Sequence, residues 1–195
     1  MWPAEQDARA TRIRVGPSPL VGVAHAPPFV AAGPRRAEGV VMSLHASGAE
    51  VREQLADMGT TSFVTKAVYG NAASLMIATR PPGYHSKPHT HDCEQLNWLQ
   101  AGQVWIFVEN RAFQLEAGDF LRIPAGAVHW AWNKFEQPCT MVEVHAPGLQ
   151  GDSTLAAHAV GLFDDGETSR PVAEPTTTFV DFDAAEIEKL TERAP

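Results

Sequence analysis

Between Thr61 and His145 apolar and polar residues alternate in short runs rich in Val, Ile, Phe, Trp and Thr. A period of two sends successive side chains to opposite faces of a strand, and β-branched and aromatic residues suit that pleated, half-buried state. The pattern predicts strands over 61–69, 73–79, 85–91, 95–101, 103–109, 112–116, 119–123, 127–133 and 139–145. Turn-forming residues punctuate them: Gly70-Asn71, Pro81-Pro82-Gly83, Gly102, Asn110, Gly118-Asp119 and Pro124-Ala125-Gly126. Short strands in such number, with no helices between them, predict an all-β sandwich or a closed or nearly closed barrel.

The flanks read differently. Residues 1–41 are rich in Ala, Pro, Gly and Arg with neither a helical nor a strand period, and are expected to be an irregular arm. Residues 42–60 are expected to be a helical lead-in. There Ser47 and Glu50 are spaced as a capping box, Val51, Leu55 and Met58 recur at helical intervals, and Gly59 is the stop. Met42 opens this first patterned segment and is a candidate translation start. Beyond a core of 61–147, residues 148–195 form a Gly, Asp and Pro-containing tail, ending in a short helix begun at Asp183 and Glu186 and carrying Ile187 and Leu190.

Composition narrows the class. The 195 residues are 44% hydrophobic and 19% charged, as in a soluble globular protein of one domain with extensions. A formal net charge of −8 argues against nucleic-acid and anionic-membrane partners, which are held by clustered Lys and Arg. The most apolar N-terminal stretch, 15–30, is interrupted by four prolines and makes a poor signal or membrane-spanning segment. Only Cys93 and Cys139 are present, too few for a disulfide framework, and a cytoplasmic location is expected.

The eight histidines change the picture more than the charge does. In Gly83-Tyr-His-Ser-Lys-Pro-His89-Thr-His91-Asp-Cys-Glu94-Gln95, His89 and His91 stand two apart on a predicted strand and project to one face, where both can bind a single transition-metal ion. In Gly118-Asp-Phe-Leu-Arg-Ile-Pro124-Ala-Gly126-Ala-Val-His129, a Pro-x-Gly turn aims the next strand and its histidine. If the two hairpins face each other, three imidazoles meet.

These segments resemble the two motifs of the cupin superfamily, G-x5-H-x-H-x3/4-E-x6-G and G-x5-P-x-G-x2-H-x3-N. The second is matched by Gly118, Pro124, Gly126, His129 and Asn133, and the first by Gly83, His89, His91 and Gly102, over a region of about 61–147. The resemblance implies a small single-domain cupin of the cupin 2 type. Its barrel would be a double-stranded β-helix of jelly-roll type with one divalent metal ion per chain, iron(II) in preference to zinc, nickel, manganese or copper. It places Gln95 where the family usually has a glutamate ligand, while Glu94 stands beside it. Strand alternation leaves the choice open, because one face continues as Leu96, Trp98 and Gln100 and the other as Asn97, Leu99 and Ala101. Motif spacing favours Gln95.

Three imidazoles and an amide would leave the ion's charge uncompensated and favour an anionic substrate such as an enolate, phenolate or carboxylate. Glu94, if not a ligand, is a candidate general base. Tyr84, Asn97, Trp105 and Phe107 are candidate substrate contacts, and His85, Cys93 and His145 are weaker candidates for a part in the site. The resemblance implies a small-molecule enzyme, read first as a dioxygenase. The same scaffold serves lyases, isomerases and polyketide-type cyclases in which the ion is only a Lewis acid, and non-catalytic ligand-binding modules. A homodimer is expected, because such barrels pair through sheet faces and the apolar and aromatic residues here exceed what one small barrel interior needs.

Overall fold

The computed structural model describes residues 43–59, 61–149, 154–155, 158–166 and 177–192. The readings of residues 1–41 and of Met42 lie outside them. The described residues form twelve strands: β1 (Gln54–Asp57), β2 (Ser62–Tyr69), β3 (Ser74–Arg80), β4 (His89–His91), β5 (Glu94–Ala101), β6 (Gln103–Val108), β7 (Arg111–Glu116), β8 (Phe120–Ile123), β9 (His129–Trp132), β10 (Cys139–Ala146), β11 (Val160–Gly161) and β12 (Thr177–Phe179). A helical turn α1 (Ala184–Glu188) runs into a 3-10 turn at Lys189–Glu192.

The strands form two sheets. In the larger the order is β1-β2-β3-β10-β5-β8, with β11 joining β2 in parallel, and in the smaller it is β12-β4-β9-β6-β7. All other pairings are antiparallel. The sheets pack face to face around Met58, Phe63, Met76, Leu99, Val104, Ile106, Ile123 and Met141, so the all-β expectation is realised as a β-sandwich. Tight turns fix the register. Gly102 joins β5 to β6 at φ 78°, and a Cβ there would lie 2.5 Å from the Pro138 carbonyl oxygen, so only glycine fits.

The helix expected over 42–60 is replaced by an isolated turn and a strand. Glu50 accepts a hydrogen bond from the Ser47 backbone N–H at 2.6 Å, and the Glu50 and Val51 N–H groups bond the Ser47 carbonyl, so the capping box forms one turn. It goes no further because 54–57 pairs with β2, from Gln54↔Thr65 to Asp57↔Ser62. Burial there has the strand period, Ala56 and Met58 inside and Leu55 outside. The sheet edge supplied partners for a whole segment, which outweighs the few tenths of a kcal/mol that separate helix propensities.

At the far end, residues 177–192 cover the smaller sheet. Thr177–Phe179 extends it at the β4 edge, and Phe182, Ala184 and Ile187 close over Trp105, Phe107 and Trp130 on its outer surface. That explains the uninterrupted apolar run of β6, which is buried on both faces. Asp183 precedes α1 as expected, but its side chain makes no capping bond. No helix among the described residues is long and apolar enough to cross a membrane.

The larger sheet has an inverted polarity. Its inner face carries Arg80, Gln95, Asn97, Glu143 and His145, all buried, while Leu75, Ile77, Leu96, Trp98 and Phe120 are exposed on the outside. Buried polar groups are costly unless partnered, so an interior of this kind marks a site more than a core.

Candidate metal centre

His89 and His91 are the two ends of β4, and His129 opens β9 directly opposite His89 in the antiparallel pair. The turn that aims β9 is tied to β4 by the Gly126 N–H, which donates to the His91 carbonyl at 2.9 Å. One ligand atom from each of His89, His91 and His129 lies within 4.8 Å of the other two, and all three residues are buried.

The second ring nitrogens are occupied. His89 Nδ1 lies 2.7 Å from the Lys87 carbonyl and His129 Nδ1 lies 3.0 Å from the Ala127 carbonyl. A carbonyl only accepts, so each ring carries its proton on Nδ1 and keeps its Nε2 lone pair for an ion. His91 Nδ1 is 3.1 Å from the Thr177 hydroxyl of β12. Burial, then the neighbouring His129, holds the His89 pKa well below its ordinary value. His91 is depressed by burial and by His129 and His89, and His129 by burial against the opposing pull of the Ala127 hydrogen bond. The rings are therefore neutral near pH 7, the form that coordinates a metal.

The Gln95 and Glu94 alternatives separate on β5. Glu94 faces outward, and its carboxylate accepts a hydrogen bond from Arg122 Nε at 2.6 Å. It does not join the histidines, because alternation along β5 sends it to the face opposite Gln95. Gln95 is buried and lines the same cavity as the three histidines. Its Nε2 donates to Asn97 Oδ1 at 2.8 Å and to Glu143 Oε2 at 3.2 Å, while its Oε1 is buried with no hydrogen-bond partner. An orphaned carbonyl oxygen beside three neutral imidazoles fits a cation. The donor set suits a divalent transition metal.

Residues 76–145 match the family model described as "Cupin domain". Over that segment the chain is similar to the cupin domain. The matched segment takes in every residue of the centre except Thr177. A comparison with curated proteins found no match. Among solved structures, the chain is similar to AerE from Microcystis aeruginosa at 21% identity and a TM-score of 0.45, over 49% of this chain and 45% of that one. It is similar to the DMSP lyase DddQ from Ruegeria pomeroyi at 18% identity and a TM-score of 0.46, over 51% and 57%. With an RmlC-like cupin from Shewanella frigidimarina it shares 16% identity and a TM-score of 0.45, over 52% and 88%. The chain thus spans about half the length of the first two.

Other expected contacts divide. Tyr84 and Asn97 line the cavity beside the histidines, which has a volume of about 30 Å³. Trp105 and Phe107 do not, because they stack beneath α1 on the outer side of the smaller sheet. His85 is also outside, stacked on Trp132 at 4.6 Å and 2.8 Å from Glu188. Cys93 is buried in the hydrophobic core. His145 is fully buried behind the centre, edge-on to His91 at 5.7 Å.

Sequence reasoning missed Arg80, Glu143 and Thr177. Arg80 Nη2 donates to Glu143 Oε1 at 2.6 Å, and the guanidinium also sits over the rings of Phe63 and Tyr84 at 5.0 and 5.4 Å. Burial disfavours the Arg80 cation, yet Glu143 together with Tyr84 and Cys139 outweighs it and holds the pKa above the ordinary arginine value. Burial pushes the Tyr84 hydroxyl up, so it remains protonated at neutral pH. A lone charge at an inward position of an apolar strand was the available signal for Arg80 and Glu143. Thr177 had none, because its role depends on which strand it joins.

Proposed function

We propose that this chain is a cupin enzyme that holds one divalent transition metal, iron(II) by preference, on His89, His91, His129 and Gln95, and acts as a dioxygenase on a small organic anion. The observation that carries the reading is the donor set itself, three imidazoles held neutral by burial and an orphaned amide oxygen, with the nearest charged pair, Arg80 and Glu143, neutralising itself. Such an ion supplies an uncompensated positive charge and, when redox-active, an electron donor. The Lys87 and Ala127 carbonyls hold the proton of His89 and His129 on Nδ1 and leave their Nε2 lone pairs free, and Gln95 lines the same cavity. A cavity of about 30 Å³ admits an ion and roughly one or two water-sized groups, which favours a small carboxylate or enolate over a phenolate.

A second reading has its own support. The protonated Tyr84 hydroxyl lines the cavity and can give a proton, which suits a lyase or isomerase whose ion acts only as a Lewis acid. The test is metal analysis of untagged protein, followed by oxygen uptake with iron(II) and a panel of short carboxylates and diketones. Substrate-dependent uptake supports the dioxygenase. Turnover without uptake, on a zinc-loaded protein, replaces it with the Lewis-acid reading.

A further inference from the structure

The metal-centre reading requires Gln95 to present oxygen, and not nitrogen, to the ion. The two ends of a carboxamide have nearly the same shape, so only the surrounding hydrogen bonds decide which way it turns. We propose that Glu143 is a positioning residue that locks the Gln95 carboxamide with its oxygen toward the histidines.

Glu143 stands on β10, next to β5, directly opposite Asn97 in the register. Its Oε2 is 3.2 Å from the end of the Gln95 side chain. A carboxylate only accepts hydrogen bonds, so the group facing it must be the amide nitrogen. The other N–H of that nitrogen is taken by Asn97 Oδ1 at 2.8 Å. With both hydrogens committed, the oxygen is the free end, and it is the end that lacks a partner in the interior. A flipped amide would set oxygen against carboxylate oxygen.

Arg80 pairs with the other oxygen of Glu143. The guanidinium is permanently charged, lies 2.6 Å from Glu143 Oε1, and is itself buried with the carboxylate. The series Arg80, Glu143, Gln95 thus alternates donor and acceptor toward the cavity, each member polarising the next, and a polarised amide oxygen is a better ligand. The inference explains the departure from the family's usual glutamate. A carboxylate at position 95 would face Glu143 at hydrogen-bond distance, two like charges in a buried site.

The inference rests on the metal-centre reading above, and one double-mutant cycle tests both. Affinity for cobalt(II) alone is measured by chelator competition, and its visible spectrum reports the number and kind of donors. Glu143→Gln is expected to weaken binding by about tenfold or more, the usual cost of losing a partner that orients a ligand. Gln95→Glu is expected to be about tenfold more favourable in the Glu143→Gln background than in the native one, because only there is the like-charge contact gone. If Glu143→Gln leaves affinity and spectrum as in the native protein, or if the effects of the two substitutions simply add, the positioning role is wrong although Gln95 remains a ligand. If Gln95→Ala also changes neither affinity nor spectrum, the four-donor reading of the centre falls with it. Should Glu143→Gln not fold with Arg80 left unpaired, Arg80→Met combined with Glu143→Gln carries the same expectations.

Discussion

His89 and His129 are register partners across β4 and β9, with ring centroids 4.2 Å apart, so protonating either one sets a charge against the other. Two buried imidazoles that close are unfavourable neighbours unless something sits between their lone pairs. His89→Ala or His129→Ala should therefore abolish stoichiometric binding of a divalent metal while the far-ultraviolet circular dichroism stays that of a β protein. Metal content by mass spectrometry after dialysis checks this, and undiminished binding in either variant would refute the shared centre.

The depressed histidine pKa values also set a pH dependence for the metal-free protein. The unfolded rings titrate near the ordinary value of 6.5, the folded His89 well below it and the folded His129 below it. As pH falls below about 6.5 the unfolded state takes up protons that the folded state refuses, so stability is full above this point and declines beneath it. Each ring contributes a slope of up to about 1.4 kcal/mol per pH unit. Thermal unfolding at pH 7.5, 6.5, 5.5 and 5 should show a falling midpoint, and His91→Phe should flatten the curve.

Arg80 and Glu143 form a buried ion pair, and removing one partner strands the other. Arg80→Ala is expected to destabilise the fold by about 3–5 kcal/mol, whereas Arg122→Ala, which releases exposed Glu94, should cost less than about 1 kcal/mol. Urea denaturation of the two variants measures the contrast, and equal losses would contradict the difference in burial.

Gly102→Ala combines a left-handed backbone with a Cβ that would meet the Pro138 carbonyl at 2.5 Å. A loss of at least about 1–3 kcal/mol is expected, with the β5–β6 register disturbed. Amide exchange across β5, β6 and β10 would locate the damage.

The outer face of the larger sheet exposes Leu75, Ile77, Leu96, Trp98 and Phe120, with the Trp98 and Phe120 rings stacked at 6.4 Å. The homodimer expected from the sequence is proposed to use this face. Light scattering should give twice the chain mass for the native protein and a monomer for Trp98→Lys combined with Phe120→Ser. A monomeric native protein would dispose of the proposal.

Alternation and turn residues were enough to place β2, β3, β5 to β10 and both motif histidine segments, because each of those strands pairs with neighbours that the pattern also shows. They failed where a segment's state is set by distant partners. Val51, Leu55 and Met58 have helical spacing, but the open edge of β2 takes Gln54–Asp57 as a strand. Gln95 and Glu94 could not be separated because polarity usually tells inside from outside, and along β5 the polar Gln95 and Asn97 are buried while Leu96 and Trp98 are exposed. The same inversion hid Glu143, whose strand looks from its composition as though Val142 and Val144 should face the core.

The seating of His91 by Thr177 has a consequence for how the centre comes into being. The three histidines are all synthesised before the residue 86 positions further on that orients one of them, and β12 must dock along β4 before that contact exists. A ribosome-bound chain that has emerged only through the second motif has the ligands in hand but not the finished geometry. For the proposed centre, full metal affinity is therefore expected late in the life of the chain, once β12 has docked along β4.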